Sequence, residues 1–321
     1  MVCFSPLDGW KSKEVSKTGK RQVVFNIKEG FRDLPIQVPC RQCTGCRLDQ
    51  SREWAVRCVN EARMYEQNCF ITLTYNEEKL PEDEGLQLDH VQRFMKRLRK
   101  KVGKKLKYFS CGEYGDKNLR PHYHMLLFNY DFDDKKYFRT TKNGDKLYTS
   151  QKLDDLWIDT DDKKSLGFAT LGELTFKSAG YTARYCLKKR NGIKAFTRYA
   201  EMDYVTGKVI AWRKPDYSAQ SNGLGLTYLK KYLYEVYPDD FIIVDGVRHP
   251  PPKFYDEFLQ KVDPDLYKKV VRQRTKNRDK RKDDLTDSRL WQRMKVAEAK
   301  KKLLVRTMEQ QDYVTEDILR V

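Results

Sequence analysis

Leu106–Phe128 reads LKYFSCGEYGDKNLRPHYHMLLF, and its pattern predicts two strands joined by a turn. Leu106–Tyr114 and His122–Phe128 are the strand segments. Gly115–Pro121 between them is short and turn-rich, which predicts an antiparallel hairpin. Residues two apart on a strand face the same side, so the imidazoles of His122 and His124 project together, about 7 Å apart at Cα. Glu113 lies on the facing strand, where cross-strand neighbours approach to about 5 Å. One carboxylate and two imidazoles make an open site for a divalent metal, with positions left for water or a phosphate oxygen. A His-x-His pair alone also fits two half-buried polar residues on a sheet. Glu113 opposite the pair shifts the reading toward ligation.

Outward from the hairpin, Cys69–Tyr75 is β-branched and aromatic, a strand. Leu88, Val91, Phe94, Met95, Leu98 and Val102 recur at helical spacing, opposite a face of Arg93, Lys96, Arg97, Arg99, Lys100 and Lys101. Leu48–Tyr65 predicts a basic amphipathic helix, Gly167–Thr175 a further strand and Ser178–Lys189 a further helix. The order strand, helix, two strands, strand, helix predicts an α+β fold with a central antiparallel sheet flanked by helices. Met1–Gly30 shows turn and charge signals but little periodicity. Arg272–Arg306 is strongly basic with few core positions, a basic helical tail. The expected organisation is an N-terminal Cys-cluster segment with its basic helix (1–65), a core (66–230) and a C-terminal extension ending in the basic tail (231–321).

The chain has 321 residues and a net charge of +18, from 64 Lys and Arg against 46 acids. That balance favours polyanions, nucleic acid before anionic membrane. Apolar runs such as Met125–Phe128 and Phe241–Val244 fall far short of the roughly 20 residues of a spanning helix, so no membrane partner is expected. Met1–Trp10 lacks the layout of a signal peptide, which predicts a cytoplasmic protein. In a reducing cytosol its eight Cys read as thiols or metal ligands rather than disulfides.

Cys40, Cys43 and Cys46 have C-x2-C-x2-C spacing. A structural zinc site usually takes four ligands, and Cys3 is the preferred fourth, with Cys58 a rival inside a predicted helix. An iron–sulfur cluster uses similar spacing, and three unliganded thiols are the plain alternative. Cys69, Cys111 and Cys186 read as small core residues. Tyr181 and Tyr185 share a helix face at i,i+4, and Lys188 joins it. Aromatic pairs at this spacing are usually core. Polar neighbours Thr182 and Arg184 favour a chemical role instead, in which a cation and a metal-bound phosphate help a phenol of pKa near 10 to attack.

Three motifs in order resemble the HUH endonucleases, in the two-tyrosine class of rolling-circle replication initiators. They are Phe70-Ile71-Thr72-Leu73-Thr74, then Gly112-Glu113-Tyr114 with Arg120-Pro121-His122-Tyr123-His124-Met125-Leu126-Leu127-Phe128, then Tyr181-Thr182-Ala183-Arg184-Tyr185 with Lys188. Over roughly residues 38–230 the chain is similar to initiation proteins of small isometric single-stranded DNA phages of the gokushovirus type. Pro39–Arg47, leading into Arg52-Glu53-Trp54, belongs to the resemblance. So does Ser221-Asn222-Gly223-Leu224-Gly225, with Asn222 where proline is expected. The resemblance implies Mg²⁺ or Mn²⁺ on Glu113, His122 and His124, and catalysis by Tyr181, Tyr185 and Lys188. It implies nicking of single-stranded or supercoiled origin DNA through a 5′-phosphotyrosine, priming from the freed 3′-OH, and closure of a circle by the second tyrosine. Arg93, Lys96, Arg97 and the tail would then contact phosphates. No G-x4-G-K-[ST] loop is present, so helicase and DNA polymerase would come from the host. Competing expectations are a zinc-dependent DNA-binding regulator without catalysis, a basic packaging or scaffold protein, and a plasmid or transposon nickase of the same superfamily.

Overall fold

A computed structural model describes residues 3–17, 19–115, 119–141, 144–185, 195–196, 199–203, 205–280 and 282–300. The Tyr185 side chain, Cys186, Lys188 and the tail beyond residue 300 lie outside the described residues. The chain divides into two units, one of Met1–Gln50 with Arg274–Leu303, the other containing Ser51–Gln273.

The first unit carries a three-stranded antiparallel sheet, β1 (Leu7–Val15), β2 (Arg21–Val24) and β3 (Gly30–Val38), in the order β2-β1-β3. This sheet falls in the stretch whose sequence carries little periodicity. Its strands bury few residues, so their sequence is free of the alternation that a packed face imposes. Residues 287–300 are helical, and Leu290 is buried.

The second unit is built on a seven-stranded antiparallel sheet. Its strands are β4 (Asn68–Thr74), β5 (Lys107–Tyr114), β6 (Pro121–Phe128), β7 (Lys136–Thr140), β8 (Lys146–Thr149), β9 (Ala169–Gly172) and β12 (Tyr217–Gln220), in the order β12-β5-β6-β4-β9-β8-β7. A separate ribbon pairs β10 (Ala200–Met202) with β11 (Val209–Trp212). The expected hairpin is β5–β6, with Glu113 opposite His122 and Cys111 opposite His124. Every residue of β6 is buried, as befits a strand covered on both faces.

Alternation along β6 sorts its side chains. Tyr123, Met125 and Leu127 join Ile71, Leu73 and Trp157 in one core. That core includes Val91, Phe94, Met95 and Leu98 of helix α2 (Leu88–Val102), each contributing about 1.5–3 kcal/mol of burial. Gly103 in the left-handed region ends α2, donating its N–H to the Arg99 carbonyl. Leu126 and Phe128 face the other way, against Phe109, Cys58 and Trp54 of α1 (Thr44–Ala62), and Ala179 of α4 (Phe176–Tyr185). His122 and His124 share this second face by parity. Cys69 and Cys111 are fully buried, as expected for core thiols.

Val56 of α1 packs with Leu229, Leu233 and Val236 of α5 (Leu226–Val236), and with Tyr255 and Leu259 of α6 (Lys253–Val262). The Ser221–Gly225 loop is fastened to this core. The Gly225 N–H donates to buried Glu61 Oε2 at 2.7 Å, Arg57 Nε donates to the Leu224 carbonyl, and Glu61 Oε1 pairs with Lys107 at 2.8 Å. Gly225 has φ +77°, and a Cβ there would meet the Tyr255 hydroxyl at 2.4 Å. Gly223 has φ +70° but open surroundings. Gly225→Ala should therefore cost about 2–5 kcal/mol, from the left-handed backbone plus overpacking. Gly223→Ala should cost about 1–2 kcal/mol. Equal losses in thermal unfolding would contradict the close approach at Gly225.

Among the described residues no helix is long and apolar enough to cross a membrane.

Candidate active site

Glu113, His122 and His124 converge on the sheet face covered by α1 and α4, and their ligand atoms all lie within 4.8 Å of one another. Glu113 is wholly buried, and each histidine is only 6% exposed. His122 Nε2 lies 2.9 Å and His124 Nε2 3.3 Å from Glu113 Oε1. The outer nitrogens have their own partners. His122 Nδ1 is 3.2 Å from the Arg120 carbonyl, and His124 Nδ1 is 3.1 Å from Thr72 Oγ1. A proton on each Nδ1 donates to these oxygens and leaves both Nε2 lone pairs directed at the centre.

This geometry fits a divalent ion. Neighbouring ligands about 2.1 Å from an octahedral ion stand about 3 Å apart, close to the spacing of the two Nε2 atoms from Glu113 Oε1. Two imidazoles beside one carboxylate suit Mn²⁺ better than Mg²⁺, which prefers oxygen.

Tyr181 reaches the same cluster. Its hydroxyl lies 3.5 Å from His124 Nε2, and its ring meets the His124 ring edge-on at 5.1 Å. Phe70 stacks on His124 at 5.5 Å and meets Tyr181 edge-on. The helix that presents Tyr181 starts at a reciprocal cap: the Ser178 N–H donates to Thr175 Oγ1 and the Thr175 N–H to Ser178 Oγ. Tyr181 is 7% exposed, so the phenol is both a packed residue and a neighbour of the cluster. Tyr185 ends the helix.

Thr72 and Phe70 carry no role in the first motif when read as sequence. Thr72 and Thr74 are polar positions on one face of an otherwise apolar strand. They pair with His124 and His122 in register, and that polarity is the signal that could have found them.

The basic face of α2 is placed differently from expectation. Its helix packs on the opposite side of the sheet from Glu113, His122 and His124. Arg97 donates to the carbonyls of Leu156 and Ile158 at 3.1 and 2.9 Å, and burial depresses its pKa. Arg93 bonds Thr160 and pairs with Asp89. Arg97 holds the loop after α3 (Gln151–Asp154). Arg93, Lys96 and Arg97 do not share the cluster's face.

Cys3, Cys40, Cys43 and Cys46 also gather, with all four sulfurs within 4.8 Å of one another. Cys3 is the fourth member, while Cys58 is buried beside Phe109 and Leu126. Burial raises the Cys43 thiol, but amide donation from Phe4 and Cys46 outweighs it and brings the pKa down to about 7. Burial pushes Cys40 and Cys46 up.

The family profile described as replication-associated protein ORF2 matches residues 68–190, a span holding the metal-type cluster and Tyr181. The replication-associated protein ORF2 of Spiroplasma virus 4 is 34% identical over 280 residues, covering 81% of this chain and 81% of that protein. The chain belongs to this family of replication-associated proteins. A further member, the replication-associated protein VP4 of Bdellovibrio phage phiMH2K, is 32% identical over 255 residues, 76% of this chain and 75% of its own. The replication-associated protein ORF4 of Chlamydia phage 1 is 33% identical over 239 residues, 72% of this chain and 55% of its own. No solved structure matches this replication-associated protein.

Proposed function

We propose that this replication-associated protein initiates rolling-circle replication by nicking one strand at the phage origin and later rejoining it. The observation that carries the reading is the Tyr181 hydroxyl 3.5 Å from His124 Nε2, beside a buried Glu113–His122–His124 cluster. A Mg²⁺ or Mn²⁺ ion held by these three residues would supply Lewis-acid polarisation of the scissile phosphate. The tyrosine phenolate oxygen attacks phosphorus, the P–O3′ bond breaks, and the leaving 3′ oxygen takes up a proton. The product is a 5′-phosphotyrosine and a 3′-OH that primes synthesis. Phe70 and the Thr175 cap hold Tyr181 on the cluster, and Thr72 and the Arg120 carbonyl hold the two imidazoles. Tyr185 and Lys188 are the second nucleophile and the cation that stabilises phenolate. After one round the second tyrosine cuts the regenerated origin, and the free 3′-OH attacks the first phosphotyrosine to close a circle.

The substrate is single-stranded or supercoiled origin DNA in the host cytoplasm, with helicase and polymerase supplied by the host. The net charge of +18 supports a large sequence-independent affinity for such DNA. The test is incubation of the full chain with a labelled single-stranded origin oligonucleotide and Mn²⁺. A denaturation-resistant protein–DNA band that depends on the metal is expected. Tight binding with no covalent species at any metal concentration would leave a DNA-binding regulator and overturn the nickase.

A further inference from the structure

We infer that Cys3, Cys40, Cys43 and Cys46 bind one zinc ion as a closed tetrathiolate site that staples the N-terminal segment to the end of β3 and the start of α1. This site lies in the first unit and is independent of the nicking chemistry.

The sulfur positions carry the inference. The Cys3 and Cys40 sulfurs are 3.6 Å apart, and those of Cys3 and Cys43 4.0 Å apart. A tetrahedral ion with four bonds of about 2.3 Å sets its sulfurs about 3.8 Å apart. A disulfide bond would need about 2.05 Å, and all four cysteines are free. Cys3 is buried.

The backbone is arranged for thiolates. The N–H of Phe4 donates to Cys43 Sγ, that of Cys40 to Cys3 Sγ, that of Cys43 to Cys40 Sγ and that of Cys46 to Cys43 Sγ, at 3.3–3.5 Å. Such donors disperse the negative charge of a metal-bound tetrathiolate. Cys46 lies in the first turn of α1, where the positive end of the helix also favours a thiolate. Arg41 takes a left-handed backbone, φ 60°, which reverses the chain between Cys40 and Cys43.

Local topology explains why Cys3 is available. Leu7 of β1 pairs with Val38 of β3, so the residues just before β1 and just after β3 emerge side by side. The sheet brings Cys3 to the C-x2-C-x2-C turn, and the ion would lock the pairing. Four soft sulfur donors with no oxygen ligand select zinc over magnesium or manganese. The closed shell excludes water, so the site is structural.

The full chain, purified without added metal, should contain about one zinc that an organomercurial reagent releases. His122→Ala/His124→Ala should retain that zinc, and Cys58→Ala should too. Cys3→Ser should lose most of it. If Cys3→Ser fails to fold, the cobalt-substituted wild-type chain decides: an intense visible spectrum of a tetrahedral tetrathiolate is expected. Iron with labile sulfide, a weak octahedral cobalt spectrum, or zinc-free protein whose four thiols are alkylated as fast as after denaturation would each overturn the assignment. Full zinc retention in folded Cys3→Ser would overturn it as well.

Discussion

His124→Ala is expected to lower nicking of a single-stranded origin oligonucleotide by about 10³-fold or more, with little change in DNA affinity. The imidazole sits at the crossing of every contact in the cluster: Nε2 faces Glu113 Oε1 and the Tyr181 hydroxyl, Nδ1 meets Thr72, and the ring stacks on Phe70. Its removal takes away one of three ligands and the surface against which the phenol is held. A loss of about 4 kcal/mol in transition-state stabilisation corresponds to that factor, and polarisation by a metal contributes several kcal/mol. Affinity should persist because phosphate contacts are distributed over a chain of charge +18. Thr72→Val is the finer probe. It keeps the shape but removes the oxygen facing Nδ1, and should cost about 10–100-fold in metal affinity or rate. Single-turnover nicking and filter binding at matched salt read both. A fall in binding as deep as the fall in cleavage would count against a metal-ligand role for His124.

The hairpin that carries the cluster is legible in the sequence because both strands are buried and must show their character in every residue. Glu113 pairs with His122 in the register that the short turn implies. Helix α2 is equally legible, since a stripe of Val91, Phe94, Met95 and Leu98 has only one use. What the pattern does not carry is which face of the sheet that stripe covers. An amphipathic helix packs equally well on either side, so Arg93, Lys96 and Arg97 read as available to the site and instead lie behind the sheet from it. Strands β1 to β3 are illegible for the opposite reason. Their mostly exposed residues impose no alternation, and the gathering of Cys3 with Cys40 depends on their pairing. The Ser221–Gly225 loop is marked by its glycines. Its tie to Glu61 crosses a long stretch of chain, and nothing local announces that partner.

The tyrosine series separates a two-nucleophile mechanism from a single nucleophile with a packed neighbour. Tyr181→Phe removes only the hydroxyl that lies beside His124 Nε2, while the ring can keep its contacts with Phe70 and His124. The fold should survive, so any change reports chemistry. If Tyr185 serves the same centre from the next turn of the helix, Tyr181→Phe should still cut an isolated origin oligonucleotide, with the DNA now linked to Tyr185. Tyr185→Phe should place the DNA on Tyr181. Each single variant should fail to close circles, because joining requires one phenol occupied while the other cuts. The double variant should give no adduct, a fall of at least about 10⁴-fold if no other nucleophile reaches the phosphate. Lys188→Ala should slow both single variants by removing a positive charge that stabilises phenolate. Peptide mapping of the DNA-linked residue decides the matter. Tyr123 and Tyr114 are the sharpest controls, since both are buried and burial raises both phenols. An adduct on either in the double variant, or circle closure by a single variant at the wild-type rate, would rule out alternation between Tyr181 and Tyr185. Loss of all adduct in Tyr181→Phe alone would instead leave Tyr181 as the sole nucleophile.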